Sequence, residues 1–206
     1  MAHRIRYAMT QEPLSSKLDG IVEIDETYVR VSGMPKAQEK PGAKRPSRMA
    51  NKAAVFSVLQ RGGKVQSMHV QRVTAENLKP VIEQMVSEDA HVMTDSSTVL
   101  GSVFQNRQRH DTVNHLAKEY VRYENGLCIT TNGIEGYFGL LKRGIKGVYH
   151  HVGQQHLHRY LSEFDYRFNA RKETDSMRTV QALKKTTGKR LMLRDSKQPN
   201  VIEGNL

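Results

Sequence analysis

Alternation dominates the first third of the chain. In IVEIDETYV, residues 21–29, Ile21, Glu23, Asp25 and Thr27 share one face while Val22, Ile24, Glu26 and Tyr28 share the other. That period of two predicts a β-strand. AAVFSVLQRGGKVQSMHVQRV, residues 53–73, repeats it in two runs broken at Gly62-Gly63, which predicts a hairpin. Thr74 can cap a helix that starts or restarts at Pro80 and runs to about Ser87. AHVMTD, residues 90–95, reads as a short buried strand, SSTVLGSVFQ (96–105) as a short helix and HDTVNH (110–115) as a further strand. AKEYVRYENGLCI, residues 117–129, carries no period and is expected to be irregular.

The period then lengthens. TTNGIEGYFGLLKRGIKG, residues 130–147, carries the apolar stripe Ile134, Tyr137, Phe138 and Leu141; HLHRYLSEFDYRFNAR, residues 156–171, carries Leu157, Tyr160, Leu161, Phe164 and Phe168. Both predict amphipathic helices. A short basic helix opens the chain ahead of Pro13. The tail from Lys172 is basic and helical around TVQALKKTTGKRL before it frays. Residues 34–52 hold three prolines and six Lys/Arg with no periodicity, which predicts a basic loop. This order gives an α/β fold: a mixed sheet whose first strands are antiparallel, with helices on both faces and C-terminal helices beyond it.

Charge narrows the partners. The 206 residues include 32 Lys+Arg against 21 Asp+Glu, a formal net charge of +11, which suits a polyanion and above all nucleic acid. A single cysteine, Cys128, excludes an internal disulfide and a Cys-rich zinc module. No apolar run approaches the roughly 18 residues of a membrane span, so the reading is cytoplasmic, nucleoid-associated and free of membrane contact. His150, His151, His156 and His158 lack the cysteines or the clean i,i+4 pairing with a nearby acid that a zinc site needs, and His150 and His151 fit DNA contact better. Ser96 and Ser97 have no placed His–Asp pair to activate them.

Two acids stand at expected strand ends, Asp25 and Asp95, and a sheet of this order can set the first and fourth strands side by side. Their carboxylates would repel unless a divalent cation lay between them. Glu135, on a helix that can cross the same edge, supplies a third oxygen ligand, and an all-oxygen set points to Mg²⁺ or Mn²⁺. Two such ions about 4 Å apart suit in-line phosphoryl displacement. Carboxylates alone do not choose the set, because Glu23, Glu26 and Asp89 lie close by in sequence. Gly133 and Gly136 flank Glu135 at about 1 kcal/mol each relative to alanine. They either make room for DNA and metal or allow close helix–sheet packing.

GIVEIDETYV, VMTD, TVNHLAKEYVR and the block from Thr130 to Arg171 resemble the catalytic domain of bacterial insertion-sequence DDE transposases of the ISXO type, related to the Merlin elements. The resemblance implies an RNase H-like fold and metal-dependent DNA cleavage followed by strand transfer at element ends. It implies Asp25, Asp95 and Glu135 as catalytic ligands of two Mg²⁺ (or Mn²⁺) ions. It further implies that Asn132 matches the Asn one helical turn before the acid and Lys142 the basic residue that holds a DNA phosphate, and it implies a homo-oligomer assembled on transposon ends and target. Arg143 and His150 join Asn132 and Lys142 as candidate DNA contacts. Where many relatives carry a His just before the Thr-Asn pair, this chain has Thr130 and Thr131. The organisation expected is a 1–20 remnant of an N-terminal DNA-binding region or linker, a 21–171 catalytic domain and a 172–206 basic tail. Full-length relatives carry an end-recognition region upstream, so the chain is expected to be truncated at its N-terminus. The alternatives are a catalytically idle DNA-binding remnant and another RNase H-like nuclease, such as a junction resolvase.

Overall fold

The alternating run at residues 21–29 becomes the central strand of a sheet in the computed structural model, which describes residues 2–10, 17–32 and 52–188. The basic loop expected over 34–51 and the tail beyond 188 lie outside the described residues. Strand β1 (Ile21–Arg30) pairs antiparallel with β2 (Lys52–Gln60), which turns through Gly62 at φ +73° into antiparallel β3 (Val65–Val70). On its other side β1 pairs parallel with β4 (His91–Asp95), and β4 pairs parallel with β5 (His110–Val113). The order β3-β2-β1-β4-β5 is an RNase H-like mixed sheet.

Each face is apolar, so each takes a helical layer. Val22, Ile24, Phe56, Val58 and Val92 pack on α2 (Ala75–Met85) and α3 (Thr98–Val103) through Leu78, Ile82 and Leu100. Val29, Val55, Leu59 and Val65 face α4 (Asn132–Gly144) and α5 (Leu157–Asn169) through Ile134, Tyr137, Leu141, Leu157 and Leu161. Burying Ile134, Tyr137, Phe138 and Leu141, at about 1.5–3 kcal/mol each, outweighs the about 1 kcal/mol lost per interior glycine. The helix forms because of its packing face. Asp165 on α5 is buried with the hydroxyls that satisfy it: Tyr137 donates at 2.5 Å and Ser67 Oγ at 2.8 Å, while the Ser67 amide donates to its second oxygen. Burial pushes the Asp165 carboxyl up to about 6.

Three local expectations change. Helix α2 starts directly after Thr74, whose hydroxyl accepts from the Asn77 amide at 3.4 Å, and Pro80 lies inside it rather than at its start. Burial of Leu78, Val81, Ile82 and Met85 offsets the backbone bond that proline removes. The stretch expected to be irregular instead contains a hairpin of β6 (Arg122–Glu124) and β7 (Leu127–Ile129). Its turn residues, Asn125 and Gly126, take φ +49° and +76°, the left-handed pair that a two-residue hairpin demands. Beyond α4, Ile145–Tyr149 form a π-helical turn that ends at His150 with φ +54°. The first helix, α1 (Ala2–Ala8), docks on α5 through Arg6, which bonds Glu163 at 2.8 Å and lies 4.0 Å over the Tyr160 ring. Helix α6 (Asp175–Lys184) follows α5, capped by Thr174. Among the described residues, no helix is long and apolar enough to cross a membrane.

Candidate active site

Asp25 lies mid-strand, which corrects the expectation of a strand end. β1 outruns β4 because it continues beside β2, where Asp25 faces Ser57. The β1–β4 pairing itself stops at Ile24 and Thr94, so the next register step sets Asp25 beside Asp95, the last residue of β4. Asp25 therefore stands at the end of the parallel pairing. Adjacent strands run about 4.8 Å apart, close enough for two carboxylates to sense each other strongly. Burial, then the charge of Asp95, pushes the Asp25 carboxyl up to about 8, with smaller contributions from Glu26 and Glu135. The Glu26 amide donates to Asp25 Oδ1 at 2.8 Å, and the Ser97 amide donates to Asp95 Oδ1 at 3.0 Å. Each acid thus has one oxygen fixed by backbone.

Alternation turns Glu26 to the opposite face, against Phe56 in the register. Even so, burial followed by the charge of Asp95 raises its carboxyl, and Glu26 Oε2 is buried without a hydrogen-bond partner. Negative charge is in excess at this edge of the sheet.

Glu135 sits in the first turn of α4, close enough to add to the electrostatic load on Asp25. Its carboxylate is held by His115 Nε2 at 2.9 Å and by the Thr131 hydroxyl at 3.3 Å. Turned this way, it closes no cage with the two aspartates: among the described residues, no three His, Cys, Asp or Glu side chains are gathered to hold a metal. The donor set nevertheless fits a hard divalent cation. It is all carboxylate oxygen, and one member is largely buried beside like charge that a cation would neutralise.

The remaining sequence candidates lie along or beyond α4. Asn132, Glu135 and Lys142 recur at three and seven residues and share its exposed side; Arg143 is also exposed. His150 is exposed as well, but the π-helical turn breaks the helical spacing before it, so it does not continue the α4 face. The two glycines divide between the two readings. A Cβ on Gly133 would meet Glu23 Oε2 at 2.7 Å, whereas one on Gly136 would meet nothing within 4 Å. Gly133 serves helix–sheet approach, and Gly136 leaves open space beside Glu135.

Sequence reasoning assigned no role to His115, Thr131, Glu23 or Arg61. Glu23 showed in the sequence only as one more acid on the strand face of Asp25, with nothing to mark it as a helix cap. His115 stood within TVNHLAKEYVR with nothing in the sequence to bring it to Glu135. Asn114 does so, capping the 3₁₀ turn His115–Ala117 by accepting from the Ala117 amide at 3.1 Å.

Comparison with known proteins adds the following. A family model described as ISXO2-like transposase domain matches residues 17–169. No curated protein matches the chain. Among solved structures, the chain is similar to one in the cryoEM structure of the simian T-cell lymphotropic virus intasome in complex with PP2A regulatory subunit B56 gamma. There the identity is 14%, the TM-score 0.37, and the coverage 89% of this chain and 55% of that one. It is similar to a chain of the pre-cleavage Mos1 transpososome at 11% identity and TM-score 0.26, over 93% and 64%. For the Drosophila P element transposase strand transfer complex the values are 10%, 0.25, 94% and 50%. The chain therefore spans half to two-thirds of the length of these relatives.

Proposed function

The chain belongs to the ISXO2-like transposase family, and on that premise we propose that it carries out metal-dependent cleavage and strand transfer of DNA at the ends of an insertion sequence. The observation that carries the reading is the register step that sets Asp25 beside Asp95, with Glu135 entering from the helix that covers the same sheet face. Asp25, Asp95 and Glu135 would hold two Mg²⁺ or Mn²⁺ ions. Bound there, the ions supply activation of the attacking oxygen and neutralisation of charge on the leaving oxygen.

The chain's own groups do the rest. Asp25 and Asp95, each with Oδ1 tied to backbone, would supply their second oxygens to the cations. To join them Glu135 would give up its His115 and Thr131 contacts. Lys142 and Arg143 hold phosphates along the exposed side of α4 as point charge and fork, with Asn132 one turn before Glu135 as a polar DNA contact and His150 beyond the π-helical turn. In the first displacement water attacks the phosphodiester and breaks its bond to the 3′ oxygen, which leaves as a hydroxyl. In the second that 3′ hydroxyl, giving up its proton, attacks a target phosphodiester and displaces the target strand's own 3′ oxygen. Both are in-line displacements, so one site serves both. The organisation proposed is a catalytic domain over 21–171 flanked by a 1–20 linker region and a basic tail.

The experiment is a Mg²⁺-dependent nicking and joining assay on duplex containing an element end, with an end-binding domain supplied in trans. Asp25→Asn, Asp95→Asn and Glu135→Gln should each lower cleavage by orders of magnitude while DNA affinity, carried by phosphate contacts elsewhere, changes little. DNA binding without any metal-dependent nicking by the wild type would identify an idle DNA-binding remnant. Nicking without joining would identify a nuclease of another kind.

A further inference from the structure

Glu23 stands two residues before Asp25 on the same face of β1 and is 1% exposed. As an acid beside the proposed ligands it reads as a spare metal ligand, but both its oxygens are engaged. Arg61 Nε donates to Oε1 at 3.0 Å, and the backbone amide of Ile134 donates to Oε2 at 2.9 Å. Ile134 directly precedes Glu135 in the first turn of α4. Its amide is one of the donors that a helix start leaves without an intrahelical partner, and Thr131, at the N-cap, makes no side-chain capping bond. Glu23 supplies the cap from 111 residues away, with a charge that suits the positive end of the helix.

Two further features belong to the same arrangement. Gly133 lets the carboxylate in, since a Cβ there would meet Glu23 Oε2 at 2.7 Å. The Arg61 guanidinium also donates to the carbonyls of Cys128 at 2.7 Å and Thr130 at 3.0 Å, the segment that leads from β7 into α4. One ion pair, buried on its Glu23 side and half-buried at Arg61, therefore joins the central strand, the β2–β3 turn and both sides of the α4 start.

We propose that Glu23, clamped by Arg61, is a positioning residue that fixes the first turn of α4 and hence the carboxylate of Glu135 relative to Asp25 and Asp95. This rests on the transposase reading above. Misplacing a catalytic group by about 1 Å costs about a hundredfold in rate, and Glu23 bonds the peptide adjoining Glu135.

The test uses the full chain with Mg²⁺ titrated into the nicking assay well below the melting temperature. Glu23→Gln leaves an amide nitrogen facing either Arg61 or the Ile134 amide, and Gly133→Ala pushes on the carboxylate. Each should weaken Mn²⁺ binding to the DNA-free chain, read by calorimetry, at least tenfold, raise the Mg²⁺ midpoint of nicking likewise and lower the saturated rate about a hundredfold, with DNA affinity within twofold of wild type. Because both act through one contact, the double variant should be little worse than the worse single. Gly139→Ala, where a Cβ meets nothing within 4 Å, controls for helix propensity. Loss of folded protein alone would lower the rate without moving the Mg²⁺ midpoint, so an unmoved midpoint overturns the proposal, as does additivity of the two substitutions. Should Glu23→Gln fail to fold, Gly133→Ala, which keeps every ionisable group, carries the test. An active wild type silenced by Asp25→Asn but indifferent to Glu23→Gln and Gly133→Ala sinks this inference alone. A wild type with no metal-dependent nicking sinks the functional reading and this one together.

Discussion

Replacing Asp25 by Asn tests the electrostatics of the site without any DNA present. Burial, followed by the charge of Asp95, raises the Asp25 carboxyl from 3.8 to about 8 in the folded protein. The folded state thus keeps a proton that the unfolded chain releases, so stability falls as pH rises between those two values and is unaffected below both. At about 1.4 kcal/mol per pH unit, holding that proton costs the metal-free fold up to about 4 kcal/mol at pH 7, and the penalty levels off at up to about 6 kcal/mol above pH 8, where Asp25 ionises in the folded state as well. Asparagine keeps the shape and carries no such charge. Urea unfolding in EDTA should therefore find Asp25→Asn more stable than wild type by about 1–2 kcal/mol at pH 5, with the gap widening steadily to pH 8.5. Added Mg²⁺ should narrow the gap from the wild-type side, since a cation holding the ionised carboxylate stabilises the folded state by mass action. A gap independent of pH, or a variant less stable than wild type at pH 8.5 in chelator, would refute the reasoning.

Other substitutions probe the rest of the frame. Tyr137→Phe removes the 2.5 Å bond to buried Asp165 and should cost about 1–3 kcal/mol in urea unfolding. Gly144→Ala would set a Cβ 2.3 Å from Phe164 Cζ; it should destabilise by about 1–3 kcal/mol, and a gain of about 1 kcal/mol from helix propensity would contradict the close α4–α5 approach. His158 is lowered to about 4 by burial and then by Arg159. The unfolded chain takes up a proton first on acidification, so the His158 contribution falls from about pH 6.5 toward 4, opposite in sign to that of Asp25. The melting temperature of wild type minus that of His158→Gln should therefore drop as pH falls through that window. Lys142→Ala should reduce the salt slope of DNA binding by about one without altering Mn²⁺ affinity.

What the sequence disclosed follows from what each element buries. The long strands were legible because Val22/Ile24 and Asp25/Thr27 alternate over enough residues to define two faces. Strands β6 and β7 have three residues each, too short to show a period, so only Asn125-Gly126 marked their turn. The order of strands was enough to expect Asp25 beside Asp95, but not to see that β1 runs on past β4, which is why Asp25 looked terminal. The Glu23–Arg61 pair and the His115–Glu135 contact were hidden for a different reason. Each joins residues far apart in sequence, and their meeting depends on the β2–β3 turn and on the path out of β5, neither of which any local pattern specifies.

The layering of the sheet also has a consequence during synthesis. All five strands are complete at Val113, but the face bearing Val29, Val55, Leu59 and Val65 stays uncovered until α4 and Leu161 of α5 have been made. At about 5–20 residues per second, that leaves a broad apolar surface bare for roughly 2–10 s on every nascent chain. A product cut short before Asn132 would keep that surface exposed for good and would also lack Glu135. Its expected fate is aggregation or capture by chaperones rather than competition with the complete protein for DNA.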